Sequence, residues 1–172
     1  MYTNRILSSG RLLKISLIDD DPQMREMLKD FFKEKFPMSE TSSYSTGEDA
    51  LKNISDEPDL IVLDYNLDSI DKLAMNGLQV LKKLKDRFPA VPVIFLSGQE
   101  NAEIAENIIK FGAWDYLMKN ENAFHRLEIH INNILGQVEL QKNLGTQKFF
   151  NRLLALLVLA LLVGIIIIRM GK

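Results

Sequence analysis

Cysteine is absent from this chain of 172 residues, and histidine occurs only twice. The first absence excludes disulfide bonds and thiolate metal sites, and the scarcity of histidine excludes a histidine-rich metal centre. Positive charge is not in excess either, because 21 Lys and Arg residues stand against 23 Asp and Glu residues, for a formal net charge of -2. The composition lacks the excess of basic residues that is typical of nucleic-acid-binding proteins, and we do not expect a nucleic-acid partner. Residues 1–11 lack the apolar core of a signal peptide and are expected to form a flexible arm.

Short apolar runs that end in polar residues recur along the sequence. Residues 61–63 show no polar alternation, which is typical of a strand covered on both faces in a parallel sheet. Because ligands bind outside the carboxyl ends of such strands, the residues that follow the runs are candidate site residues. The runs end in these side chains: Asp19 and Asp20 after the first, Asp64 after the central one, Ser97 after the next, and Lys119 after the last.

Apolar residues at helical spacing separate these strands. We predict helices over residues 22–36, 47–54, 77–88, 105–112 and 127–138, a weak strand over 41–44, a strand over 114–118, and a long loop over 65–76. Asp21 before Pro22 is the expected N-cap of the first helix. Five alternations of strand and helix predict a doubly wound α/β domain with a five-stranded parallel sheet over residues 12–136.

The C-terminal part of the chain has a different character. Residues 137–148 are polar and are expected to form a helical or polar linker, whereas Leu153 to Ile168 contain no polar side chain. That run would be about 24 Å long as a helix, and adding Phe149 and Phe150 brings it close to the ~30 Å of a bilayer core. We therefore predict a single transmembrane helix over residues 149–169. The alternative, a helix buried in a protein core, needs a larger domain to surround it.

The basic residues before the apolar run set the expected orientation. Lys142, Lys148 and Arg152 favour a cytoplasmic N-terminal domain, with the chain as a single-pass membrane protein. Residues after 135 show no helix-turn-helix pattern, so no DNA-binding output domain is expected.

The strand-end residues predict one kind of chemistry. Clustered carboxylates bind a hard cation such as Mg²⁺, which allows one of them to act as a nucleophile toward a phosphoryl group. The Ser97 hydroxyl and the Lys119 ammonium could each bind a phosphoryl oxygen. This combination predicts a site of reversible aspartyl phosphorylation.

Residues 12–135 resemble the receiver domain of two-component response regulators. The resemblance is carried by four motifs in order: Leu-Ile-Asp-Asp-Asp-Pro (17–22), Pro-Asp-Leu-Ile-Val-Leu-Asp (58–64), Ile-Phe-Leu-Ser-Gly (94–98) and Gly-Ala-Trp-Asp-Tyr-Leu-Met-Lys (112–119). It implies a flavodoxin-like sheet of order 2-1-3-4-5, and a histidine kinase or phosphotransfer protein as phosphodonor. It also implies a protein that catalyses only its own phosphorylation and dephosphorylation, and a bacterial inner membrane as the place of the predicted anchor.

The resemblance assigns roles residue by residue. Asp64 would be the phosphoacceptor, with Ser97 and Lys119 assisting, and Ser97 and Tyr116 would form the switch pair. The implied Mg²⁺ ligands are Asp19, Asp20, Asp64 and the backbone carbonyl of Asn66.

Three departures from the family pattern stand near this site. Asp68 replaces a usual proline, the loop through Ser69 to Met75 is longer than usual, and Asn120 replaces the proline that commonly follows the lysine. None of them removes a reacting group. The expected function is a membrane-anchored, phosphorylatable receiver that acts through protein–protein contacts, with a homodimer through the fifth helix as one form. The alternative is a receiver-like scaffold that is not phosphorylated. An aspartate-based phosphatase is disfavoured, because Asn66 is not an acid.

Overall fold

The computed structural model describes residues 12–67, 74–98, 101–137 and 150–156. Its five parallel strands lie in the order β2-β1-β3-β4-β5, as the resemblance implied. The strands are β1 (Leu13–Ile18), β2 (Ser39–Tyr44), β3 (Leu60–Asp64), β4 (Val93–Ser97) and β5 (Asp115–Met118). The helices are α1 (Pro22–Lys35), α2 (Gly47–Asn53), α3 (Gly77–Arg87), α4 (Ala102–Lys110) and α5 (residues 123–137).

Side-chain caps begin the helices. Asp21 caps α1 as predicted, its carboxylate accepting from the Gln23 N–H at 2.8 Å. Asn76 caps α3 through a reciprocal capping box with Gln79, and Asn101 caps α4. These caps satisfy N–H groups that have no partner inside a helix.

Several predicted boundaries differ from the structure. The second strand begins at Ser39 rather than Thr41, because this polar edge strand is set by pairing with β1 rather than by apolar residues. The fourth helix covers Ala102–Lys110 rather than 105–112, since Asn101 caps it and Gly112 lies beyond its end. The first helix ends at Lys35, with Phe36 as its C-cap, and the fifth begins at residue 123.

The core lies between the sheet and its helices. On one face, Ile61, Leu63 and Phe95 of the strands pack in one cluster with Val80 and Leu84 of α3. Fully burying such a side chain contributes roughly 1.5–3 kcal/mol, so this cluster holds α3 firmly against the sheet. All five residues of β3 and all five of β4 are buried, which confirms strands covered on both faces.

Gly77 brings the start of α3 against the end of β3. Its N–H donates to the Tyr65 carbonyl at 2.8 Å, and a Cβ at this position would lie 2.4 Å from the Asp64 carbonyl oxygen. Only glycine permits this approach. At the same end of the loop, the Met75 N–H donates to Glu48 Oε1 on α2 at 2.7 Å.

The chain divides into two compact units, Met1–Asn132 and Asn133–Lys172. The predicted arm (1–11), most of the linker (137–148) and most of the predicted transmembrane segment (149–169) lie outside the described residues. Among the residues that are described, no helix is both long enough and apolar enough to cross a membrane. Residues 150–156 are helical and exposed.

Candidate functional site

Four strand ends meet at the carboxyl edge of the sheet. Ile18 of β1 pairs with Leu63 of β3, so Asp19 follows β1 at the level of Asp64. Ser97 closes β4 one residue beyond the partner of Asp64, and the Lys119 N–H donates to the Ser97 carbonyl at 2.7 Å. The parallel register therefore delivers the predicted side chains to one edge.

Three carboxylates form a compact cluster there. Asp19, Asp20 and Asp64 each offer one oxygen, and these oxygens lie within 4.8 Å of one another. Asp19 is 1% exposed and Asp64 is 3% exposed, whereas Asp20 is half-buried. The structure thus brings together the three acids that the sequence predicted as metal ligands.

Backbone and side-chain donors fix the two buried acids. Asp19 Oδ1 accepts from the Asp21 N–H at 2.9 Å, and the Asp19 carbonyl accepts from Arg25 Nη1 at 2.5 Å. Asp64 Oδ2 accepts from the Asn66 N–H at 3.1 Å. Asn66 therefore lies at the site as predicted, and its carbonyl as a metal ligand stays a prediction.

Lys119 joins the acids electrostatically. Its ammonium nitrogen lies 2.8 Å from Asp19 Oδ2 and 3.0 Å from Asp64 Oδ1. The contact with Asp64 Oδ1 is an ion pair without hydrogen-bond directionality, and no other described residue donates to this buried oxygen. A buried carboxylate oxygen that has only an ion pair is unusual, and a bound metal ion or water is one explanation for it.

Burial changes the proton affinity of each group. It raises the pKa of Asp19 and of Asp64 above the ordinary value, an effect that the charge of Lys119 only partly offsets. For Lys119, burial acts to lower the pKa, but the charges of Asp64 and Asp19 outweigh it and the pKa is raised. The lysine is therefore charged at neutral pH, and one ammonium stands against three carboxyl groups.

The donor set fits a magnesium ion. Mg²⁺ prefers oxygen ligands and is commonly held by one or two carboxylates together with water. Asp19, Asp20 and Asp64 provide only oxygen donors, and Asp64 Oδ1 lacks a hydrogen bond within the described residues. A divalent cation would supply the positive charge that Lys119 alone does not.

Most of the domain matches a known protein family. Residues 15–131 match the model of the response regulator receiver domain. The chain belongs to this family. The receiver assignment agrees with the resemblance that the four motifs carried.

Individual proteins are similar to this receiver. An NtrX-like response regulator of Rickettsia bellii is 33% identical over 112 residues, which are 64% of this chain and 22% of that protein. Regulatory protein LuxO of Vibrio cholerae is 35% identical over 99 residues, 57% of this chain and 20% of LuxO. The chain thus matches only about a fifth of the length of these curated relatives.

Solved structures share the fold. The receiver domain of Francisella response regulator 1452 superposes with a TM-score of 0.62 at 28% identity, covering 72% of this chain and 97% of that one. NtrX from Brucella abortus gives a TM-score of 0.66 at 27% identity, covering 78% of this chain and 29% of that one.

The predicted switch pair occupies neighbouring strands of the receiver. Ser97 is fully buried at the end of β4. Tyr116 is half-buried on β5, lies opposite Phe95 and packs against the core cluster. Their reorientation on phosphorylation stays a prediction.

The three departures have different outcomes. Asp68 and most of the long loop lie outside the described residues. Asn120 is described, and the described residues contain no cis peptide bond. Lys119 nevertheless reaches both buried acids, so the substitution at 120 leaves the ammonium in the site.

Two contacts near the site were not predicted from the sequence. Arg25 donates to the Asp19 carbonyl. The sequence could have indicated this contact, because Arg25 lies in the first turn of α1, which begins directly after Asp19, Asp20 and Asp21. His130 Nε2 lies 2.9 Å from Asp115 Oδ2. No sequence signal joins these two residues, because the pairing depends on how α5 packs beside β5.

Proposed function

We propose that this receiver accepts a phosphoryl group on Asp64 from a histidine kinase or a phosphotransfer protein. The observation that carries the proposal is Asp64 itself: it is buried beside Asp19 and Lys119, and its Oδ1 accepts no hydrogen bond from the described residues. An oxygen of Asp64 would form the new P–O bond as the P–N bond of a phosphohistidine breaks. The bonding electrons would leave with the imidazole nitrogen, which then takes up a proton.

The surrounding groups would stabilise the transferred group. The Lys119 ammonium, 3.0 Å from Asp64 Oδ1, can pair with a phosphoryl oxygen as a compact charge, and the Ser97 hydroxyl is the predicted donor to another. Asp19, Asp20 and Asp64 would hold Mg²⁺, which when bound neutralises the charge that builds up in phosphoryl transfer. The protein would act on its own phosphorylation state only.

Intact mass spectrometry tests the phosphoacceptor. The full chain in detergent, incubated with acetyl phosphate and Mg²⁺, should gain the mass of one phosphoryl group. Asp64→Asn should gain none, and chelation of Mg²⁺ should abolish the gain. Asp86→Asn is the matched control, because Asp86 is an exposed acid on α3. If the wild type gains no mass while remaining folded, the scaffold interpretation replaces this proposal.

We further propose that residues 149–169 anchor the receiver to a membrane, with the receiver in the cytoplasm and its signal passed on by protein–protein contacts. Leu153 to Ile168 contain no polar side chain. Residues 150–156 are helical, and Phe150, Leu154 and Leu156 are each more than 60% exposed. Within residues 150–156, leucine side chains that remain exposed at the start of an apolar run favour a lipid environment over a protein core.

The absence of cysteine permits a direct topology test. Single cysteines are introduced at exposed Ser55 and at Gly171, near the end of the chain. A membrane-impermeant maleimide should label Gly171→Cys in intact cells and Ser55→Cys only after lysis. A chain truncated after Lys148 should move to the soluble fraction. Retention of the truncated chain by membranes would contradict the anchor.

A further inference from the structure

Large apolar side chains are exposed where α4 ends and β5 begins. Ile109 is 45% exposed, Phe111 41% and Trp114 38%. Gly112, with a φ of 92°, ends the helix, and its N–H donates to the Ile109 carbonyl at 2.9 Å. The chain therefore turns sharply between Phe111 and Trp114. We name residues 109–114 the aromatic turn.

Basic side chains accompany the aromatic turn. Lys82 Nζ lies 4.0 Å from the centre of the Phe111 ring, and Lys110 is exposed within the turn. Between Lys82 and Arg87, α3 has three lysines and one arginine against the single acid Asp86. Aromatic and basic side chains together are typical of surfaces that contact anionic lipid headgroups.

The aromatic turn lies at the amino edge of the sheet. The Trp114 N–H donates to the carbonyl of Val93, the first residue of β4, at 2.7 Å. His130 of α5 contacts Asp115, the first residue of β5. Thus α5 has reached the amino edge of the sheet by His130.

We propose that the aromatic turn, with Lys82 and Lys110, docks on the anionic lipid surface of the membrane that holds the anchor. This inference rests on the proposed anchor and gives the receiver an orientation. The exposed apolar side chains of the aromatic turn lie at the amino edge of the sheet, with Lys82 and Lys110 beside them. Asp64 lies at the carboxyl edge, so the docked receiver presents its phosphorylation site away from the lipid to the phosphodonor.

Trp114 is the only tryptophan of the chain and reports on this surface without labelling. The full chain is reconstituted into vesicles of brominated phosphatidylcholine, with or without phosphatidylglycerol. We expect bromine to quench Trp114 emission at least twofold more with the anionic lipid present. The double variant Lys82→Glu/Lys110→Glu should quench only to the level seen without phosphatidylglycerol. Arg126→Glu, an exposed charge reversal on α5, is the matched control and should leave quenching unchanged.

Vesicle flotation separates the two proposals. If the chain floats with the vesicles but Trp114 is unquenched in both lipids, the docking inference is wrong and the anchor stands. If the chain stays in the aqueous phase, the anchor proposal fails. A blue shift of Trp114 emission that grows with the protein-to-lipid ratio, without quenching, would show a second copy on the aromatic turn and would overturn lipid docking.

Discussion

Replacing Asp64 with asparagine should stabilise the folded receiver when no divalent cation is present. The change keeps the shape of the side chain and removes one negative charge from the cluster. That charge is repelled by Asp19 and Asp20, whose oxygens lie within 4.8 Å, and is attracted by Lys119 at 3.0 Å. The change in the free energy of unfolding depends on which of these interactions is larger.

Burial and charge together decide the sign. At an effective dielectric constant of about 20, a carboxylate at the 4.8 Å limit repels Asp64 by about 3.5 kcal/mol, and Lys119 at 3.0 Å attracts it by about 5.5 kcal/mol. The repulsion from Asp19 therefore cancels more than half of the attraction to Lys119. Burial is the largest influence on Asp64 and outweighs the remainder, so the neutral asparagine should gain about 1–2 kcal/mol.

The pH dependence follows from the pKa of Asp64. Burial raises this pKa above the ordinary 3.8, so the folded protein holds the proton more tightly than the unfolded chain does. The contribution of Asp64 to stability therefore falls as the pH rises through the interval that begins near 3.8. The advantage of Asp64→Asn should grow as the pH rises through that interval and should disappear below it, where both side chains are neutral.

Thermal unfolding of the full chain in detergent, with chelator, measures the effect. At pH 7 we expect Tm to rise by about 3–8 °C for the variant, given roughly 2–4 °C or more per kcal/mol in a domain of this size. Mg²⁺ should raise the Tm of the wild type more than that of the variant, because the variant has lost the negative charge of one ligand. Asp86→Asn should change Tm little in either condition. A lower Tm for Asp64→Asn would refute the charge balance and would show that the Lys119 attraction dominates.

Three other substitutions test the same region. Lys119→Met should lower the free energy of unfolding, measured by urea denaturation without Mg²⁺, by about 3 kcal/mol, because it leaves buried carboxylates without a counter-charge. An unchanged urea midpoint of unfolding would contradict the ion pairing. Gly77→Ala should cost about 1–3 kcal/mol by the same assay, since its Cβ would lie 2.4 Å from the Asp64 carbonyl oxygen, and wild-type stability would show that α3 can shift away. Asn120→Ala should cost about 1 kcal/mol, because Asn120 Oδ1 accepts from the Asn122 N–H at 3.1 Å. The rate of phosphorylation by acetyl phosphate should stay within about twofold, and a loss of that rate at unchanged stability would assign Asn120 a role in the site.

The site was more predictable from the sequence than its surroundings. Asp19, Asp64 and Lys119 follow apolar runs, and parallel strands bring their carboxyl ends to one edge, so strand order alone brings these residues together. The polar strand beginning at Ser39 has no such signal, because its place depends on hydrogen bonds to β1. The His130–Asp115 contact likewise depends on tertiary packing, which periodicity does not specify.

The position of Lys119 shows why a departure beside the site can leave its chemistry in place. Its N–H donates to the Ser97 carbonyl at 2.7 Å, so pairing between β5 and β4 sets the backbone from which the side chain extends. The ammonium is then held by Asp19 and Asp64, which lie at the carboxyl ends of β1 and β3, nearer the centre of the sheet. Asn120 makes no contact that these interactions require. Its N–H donates to the Met118 carbonyl at 2.9 Å, and its side-chain oxygen accepts from the Asn122 N–H just before α5. In this receiver, contacts with the sheet position Lys119 independently of the residue at position 120. Asn120 instead forms hydrogen bonds in the turn that leads into α5.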